Sequence, residues 1–202
     1  MKIKLHNNDL PKSIKINKSV AIDTETMGLN PLRDRLCLIQ LSSGNDVCHL
    51  IKIKSKPSMP KNLMEILKNK NIVKIFHFAR FDVAVLKHNF KIDINNIYCT
   101  KIASKIARTY TDKHGLKDLV KEIIGIDMSK QLQSSDWGAE KLTEKQLKYA
   151  ATDVIYLHQL KKELNKILIR ENRMELLDKC LKFIKTRVDL DLSDYKNDIF
   201  SH

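Results

Sequence analysis

Short apolar and β-branched runs crowd the first hundred residues, and helical periodicity takes over after Thr100. That division limits the fold more than any other feature of the chain. Residues 18–24 (KSVAIDT), 36–42 (LCLIQLS) and 46–53 (DVCHLIKI) read as strands, separated by turn material at 28–31 and at Ser43-Gly44-Asn45. A polar loop with Pro57 and Pro60 leads into a helical pattern over 61–69. Residues 72–77 (IVKIFH) predict a buried strand running into a helix over 80–89, and Ile97-Tyr98-Cys99 predicts one more short strand. After Thr100, Ile102, Ala103, Ile106 and Ala107 make one apolar helix face, and Leu116, Leu119, Val120 and Ile123 make another. The loop 125–142 holds the single tryptophan. Thr143 then opens a helix, with Gln146 completing a capping box, and its apolar positions continue to about Ile169. The tail, 171–202, starts helical (Met174, Leu177, Leu181, Ile184) and ends irregular. Strands early, helices late and a β-to-α connection at 77–80 predict an α/β domain, a mixed central sheet flanked by helices.

At 202 residues the chain fits a single domain over 1–202, long enough to bury a real core. No run approaches the roughly 18 apolar residues of a membrane span, and the N-terminus has no apolar core of a secretory signal, so a cytoplasmic location without membrane is expected. Cys37, Cys48, Cys99 and Cys180 lack metal-ligand spacing and are expected as reduced thiols. The balance of 37 basic against 24 acidic residues, net +13, favours a polyanionic partner such as nucleic acid. The alternative is compositional drift in a Lys-, Ile- and Asn-rich chain.

Five residues in three stretches carry chemistry. Asp23 and Glu25 (AIDTETMGL) stand two apart at the end of a strand, so both carboxylates lie on one side of the sheet. Two like charges that close are destabilising unless a cation sits between them. Asp82 (HFARFDVAVL) falls in the first turn of a helix, where the macrodipole favours an acid. Tyr149 and Asp153 (YAATDVIYL) share a helix face, and a hydroxyl and a carboxylate at that spacing can orient one water between them. Asp153 is flanked by Ala150, Ala151, Val154 and Ile155, so it needs a partner. Alone, each residue has an ordinary structural explanation. Together the four acids would hold two Mg²⁺ or Mn²⁺ ions for an in-line displacement at phosphorus.

DTETMGL, His77-x4-Asp82 and YAATDV resemble the three exonuclease motifs of the DEDD superfamily. Tyr149, four before the last Asp, places the resemblance in the DEDDy branch, with ribonuclease D. KDLVKEIIGIDMSKQLQSSDW and LTEKQLKYAATDVIYLHQL follow the ribonuclease D pattern, which spans roughly 18–165 with 171–202 as a helical extension. RDRLCLIQLSSG, KIFHFARFD, CTKIASKIARTYTDKHGLK and DLDLSDYKNDIF look like the short nano-RNase C enzymes of α-proteobacteria. That resemblance implies a ribonuclease H-like 3′-5′ exonuclease fold without accessory helical domains, acting on short single-stranded RNA down to dinucleotides and releasing nucleoside 5′-monophosphates. It implies a homo-oligomer, an octameric ring, for which Met174, Leu177, Leu181 and Ile184 would supply the apolar surface unless their helix packs back on its own domain. It also implies Asp23, Glu25, Asp82 and Asp153 as metal ligands and Tyr149 as the residue that positions water. Thr26 would offer its backbone N–H to the 3′-terminal hydroxyl. Leu29 would wedge between terminal bases or else be a plain turn hydrophobe, and His77 would contact phosphate or cap the strand end. Arg108, His114, Ser134, Ser135 and Trp137 sit in matching stretches, with no role that the residues themselves define.

Two other readings stay open. One keeps the chemistry and changes the substrate to longer RNA 3′ ends or DNA. The other is a catalytically dead fold used as a binding module, against which all four acids stand.

Overall fold

The computed structural model describes residues 1–55, 58–128, 135–195, 197 and 199–201. Six strands form one mixed sheet: β1 (Lys2–Asn7), β2 (Ser19–Thr26), β3 (Leu36–Ser42), β4 (Val47–Lys52), β5 (Val73–Phe76) and β6 (Ile97–Cys99), in the spatial order β1-β4-β3-β2-β5-β6. β2, β3 and β4 pair antiparallel, whereas β1 joins β4, β5 joins β2 and β6 joins β5 in parallel. The parallel additions need crossovers. α1 (Lys61–Lys68) lies between β4 and β5, and α2 (Ala79–Phe90) carries the chain from β5 to β6.

Alternation along β2 sorts its side chains onto two faces. Val20 and Ile22 face a core shared with Val83 and Leu86 of α2 and with Ile184 and Val188 of α7 (Met174–Leu192). Ala21 faces a second core with Leu38, Cys48, Ala150, Val154, Leu160 and Leu164. Those last four come from α5 (Glu144–Ile155) and α6 (Leu157–Arg170). α3 (Thr100–Ala107) continues directly from β6, and the short α4 (Leu116–Leu119) runs into a π-helical turn at Val120–Ile124.

Three expectations change. β1 is a strand that sequence patterning passes over: Lys2, Lys4 and His6 alternate with Ile3 and Leu5, and only the register from Lys2↔Val47 to Asn7↔Lys52 organises them. Charged side chains suit an edge strand because they oppose further pairing. The helix expected from Thr143 to Ile169 breaks at Tyr156 (φ −92°, ψ −9°), which lets α5 pack on β2, β3 and β4 while α6 turns onto α3. The Thr143–Gln146 capping box is present. Finally, the apolar positions of α7 pack against the chain's own body. Leu177 and Ile184 are buried, and Met174 and Leu181 rest against the cores, because α7 crosses α2, α3 and β6. These four residues therefore do not form a surface for another copy.

That packing has a measurable consequence. Leu177→Ala should lower the unfolding free energy by about 2–5 kcal/mol, as for a fully buried leucine. Leu176→Ala, at a neighbouring exposed position, should cost under about 0.5 kcal/mol. Urea titrations of the two variants check the difference.

Candidate active site

β2 ends in the sequence Asp23-Thr24-Glu25-Thr26, and its pleat sends Asp23 and Glu25 to the α5 side of the sheet and Thr24 to the α2 side. A register shift between Glu25 and Thr26 against β3 bends the strand at this point, a common way to re-aim a side chain at the rim of a sheet. From above, α5 delivers Asp153. One carboxylate oxygen from each of Asp23, Glu25 and Asp153 lies within 4.8 Å of the others. Gln40, opposite Asp23 in register, donates from Nε2 to Asp23 Oδ2 (3.3 Å). Tyr149, one turn before Asp153 on α5, stands beside its carboxylate.

Asp82 arrives from the other side. It is buried in the first turn of α2, where Thr24 Oγ1 donates to Asp82 Oδ1 (2.7 Å). It stands outside the three-carboxylate group but lines the same cleft, of about 770 Å³, at this end of the sheet. Thr24 is the link between the two faces, and sequence reading missed it.

Burial dominates the electrostatics. It pushes Asp23 up to about 7. Burial, then the charges of Asp23, Asp153 and Asp82, push Glu25 up to about 10. Asp82 and Asp153 are raised well above the carboxylate range by burial and by the charge of Asp23. Burial and the neighbouring carboxylates also raise the Tyr149 phenol, so it stays protonated. A cation among these carboxylates would offset both the burial and the repulsion. The donor set, oxygens only and from carboxylates, fits a hard divalent cation.

The remaining sequence candidates fall into two groups. Thr26, Leu29 and His77 line the cleft. Thr26 Oγ1 donates to the Gly28 carbonyl, and Leu29 stands 87% exposed at the lip. His77 Nδ1 lies 2.9 Å from Thr100 Oγ1, and burial followed by the nearby Lys101 pushes it down to about 3. Its imidazole is therefore neutral. Ser135 and Trp137 also line the cleft, with the Trp137 ring 6.1 Å from that of Tyr149; Ser134 lies outside the described residues.

Arg108 and His114 do not line the cleft but support its wall. Arg108 is fully buried and donates to Ser104 Oγ (3.0 Å), to the Lys113 carbonyl (2.9 Å), to the Tyr110 hydroxyl (3.2 Å) and to Glu122. His114 Nδ1 meets the same Ser104 Oγ (2.8 Å). This network fixes the start of segment 113–118, whose Gly115, Leu116, Lys117 and Asp118 face the cleft. Phe78 and Lys101 also line it without having been singled out in the sequence. Lone exposed aromatics and lysines carry no motif, although the position of Phe78 beside His77 was a usable signal.

A mixed sheet with carboxylates converging on a cleft at its end defines a ribonuclease H-like nuclease fold built around a divalent-metal centre. The family model described as 3′-5′ exonuclease matches residues 4–169, and the chain belongs to that family. Among solved structures, Brucella melitensis NrnC with bound Mg²⁺ is 48% identical, covers 100% of each chain and superposes with a TM-score of 0.94. Brucella melitensis NrnC bound to pGG is 49% identical, with a TM-score of 0.95 over 100% of this chain and 99% of that one. Ribonuclease D of Bartonella henselae is 34% identical over 159 residues, 79% of this chain. The match spans only 39% of that relative's length.

The raised carboxylates give a signed prediction. Asp23 and Glu25 keep protons in the folded state that the unfolded chain has already released. Without metal, unfolding free energy should therefore fall as pH rises from about 4 through about 7 and beyond. Mg²⁺ displaces those protons, so its stabilising effect should grow over the same interval. Urea unfolding of EDTA-treated protein with and without Mg²⁺, at about pH 5.5 and about pH 8.5, checks both signs. Equal metal stabilisation at the two pH values would contradict the assignment.

Proposed function

We propose that this protein is a metal-dependent 3′-5′ exoribonuclease that removes nucleoside 5′-monophosphates from short single-stranded RNA, dinucleotides included, in the cytoplasm. The observation that carries the reading is the convergence of the Asp23, Glu25 and Asp153 carboxylates within 4.8 Å on the cleft floor. Full-length similarity to NrnC, and the pGG bound in one NrnC structure, support the choice of substrate.

Asp23, Glu25, Asp82 and Asp153 would hold two Mg²⁺ or Mn²⁺ ions. When bound, such ions stabilise the charge on the attacking and leaving oxygens of an in-line displacement. The chain's residues do the rest. Tyr149, beside Asp153 in the cleft, orients the attacking water. Because the phenol stays protonated, Tyr149 acts by hydrogen bonding rather than as a free base. Thr26 and Leu29 receive the 3′-terminal nucleotide, the first through its backbone N–H and the second by wedging against the base. Neutral His77 fixes the end of β5 against Thr100.

Time courses on 5′-labelled RNAs of graded length, beginning with dinucleotides, test the reading. The expected result is shortening from the 3′ end with Mg²⁺ or Mn²⁺, none with EDTA, and fastest turnover of the shortest species. Preference for long structured RNA or for DNA would overturn the substrate assignment. Asp82→Asn and Asp153→Asn should each lower kcat by at least roughly 10²-fold. Tyr149→Phe should damage kcat far more than KM.

The chain is further proposed to act as a homo-oligomeric ring, an octamer by its similarity to nano-RNase C. Ile169, Leu176, Phe183 and Phe200 are exposed apolar side chains of α6, α7 and the tail. Closed symmetry is the usual means of covering such surface. Light scattering should give a mass several times the 23.4 kDa protomer; a clean monomer at micromolar concentration would refute the assembly.

A further inference from the structure

Phe78 is placed at an energetic disadvantage that the fold does not explain. Among the described residues, six other than glycine have positive φ: four are Asn or Asp, one is Lys, and the sixth is Phe78 (φ 67°, ψ 46°). Short polar side chains tolerate this left-handed conformation, whereas a bulky one there is an outlier. Its neighbours Phe76 and Ala79 are fully buried in the core, yet Phe78 is 45% exposed and belongs to neither core cluster. The left-handed turn between β5 and α2 sends its ring instead into the cleft that holds Asp23, Glu25, Asp82 and Asp153. Strained residues that lack a packing role concentrate at functional sites.

The ring also has a cation on it. Lys101 Nζ stands 4.3 Å from the Phe78 ring centroid. Lys101 is the second residue of α3, and the first, Thr100, meets His77, the residue before Phe78. The two side chains are thereby held by elements tied together one residue away. A cation over one face leaves the other face for a planar partner. An aromatic ring beside an ammonium group suits a nucleotide, whose base stacks and whose phosphate pairs with the charge. Leu29 and Met27, 87% and 60% exposed, supply apolar surface from the β2–β3 turn in the same cleft.

We propose that Phe78 is a base-stacking platform of the substrate cleft and that Lys101, held over its ring, pairs with an adjoining phosphate. This rests on the exonuclease reading above and adds a specificity-determining pair to it. Since every base has a π-face, the platform reads the presence of a base rather than its identity.

Steady-state kinetics on dinucleotides tests it. Phe78→Ala and Phe78→Leu should each raise KM by roughly 5- to 150-fold, the Leu variant included because it keeps apolar bulk but not the ring. Phe78→Tyr should stay near wild type. Phe78→Gly relieves the left-handed strain, so it should stay folded by thermal melting and still show the Ala defect. The penalty of Phe78→Ala should collapse on a dinucleotide made abasic at one of its two positions. Lys101→Ala should raise KM and flatten its dependence on salt. The proposal is overturned if both Phe78→Ala and Phe78→Leu stay within roughly twofold of wild type, or if the penalty persists at both abasic positions. If instead the wild-type protein fails to hydrolyse any dinucleotide with Mg²⁺ or Mn²⁺, it is the exonuclease reading that fails.

Discussion

Mutual repulsion among half-buried carboxylates is the constraint around which this molecule is arranged. Asp23, Glu25 and Asp153 come from two elements and crowd within 4.8 Å in a place where burial already disfavours charge. Two neutral outcomes are open to such a cluster: it holds protons, or it holds cations. The first gives a site with nothing to bind phosphate. The second turns an unstable arrangement into a rigid one, because each oxygen then has a ligand to point at. The same repulsion that would loosen the metal-free site is what gives the metal its hold.

Geometry explains how one strand serves both layers. β2 lies between an antiparallel neighbour, β3, and a parallel one, β5. Its odd residues reach α5 and its even residues reach α2. Asp82, outside the three-carboxylate group, is tied to the same strand by Thr24. Elements on opposite faces of the sheet therefore meet at a single strand end, where the bend between Glu25 and Thr26 opens the cleft.

Much of this was legible in the residues, for identifiable reasons. The D-x-E spacing, the helix-start acid and the i, i+4 pair are local geometry, so their placement follows once the elements form. The strands β2 to β6 were marked by apolar runs. What could not be read depends on contacts distant in sequence. β1 has too little apolar content to declare itself and exists through its register with β4. The break at Tyr156 arises because α5 and α6 bury against different partners. The burial of α7 against the chain's own body could not be told from an interface by periodicity, since both need an apolar stripe. Arg108 illustrates the same limit. A buried guanidinium and a solvated one look alike in sequence, and only the convergence of Ser104, the Lys113 carbonyl, Tyr110 and Glu122 distinguishes them.

The charge distribution resolves an apparent conflict between a basic protein, at net +13, and an acidic floor. An anionic substrate approaching the floor alone would be repelled. Lys101 and Lys117 stand on the walls of the cleft, separate from the carboxylates, so they attract the polyanion without pairing with the acids and neutralising them. Their presence has a local cost: Lys101 helps push His77 down to about 3. A protonated His77 on this wall would add a second cation close to Lys101. With that imidazole neutral, Lys101 and Lys117 are the cations that these walls present to an incoming phosphate.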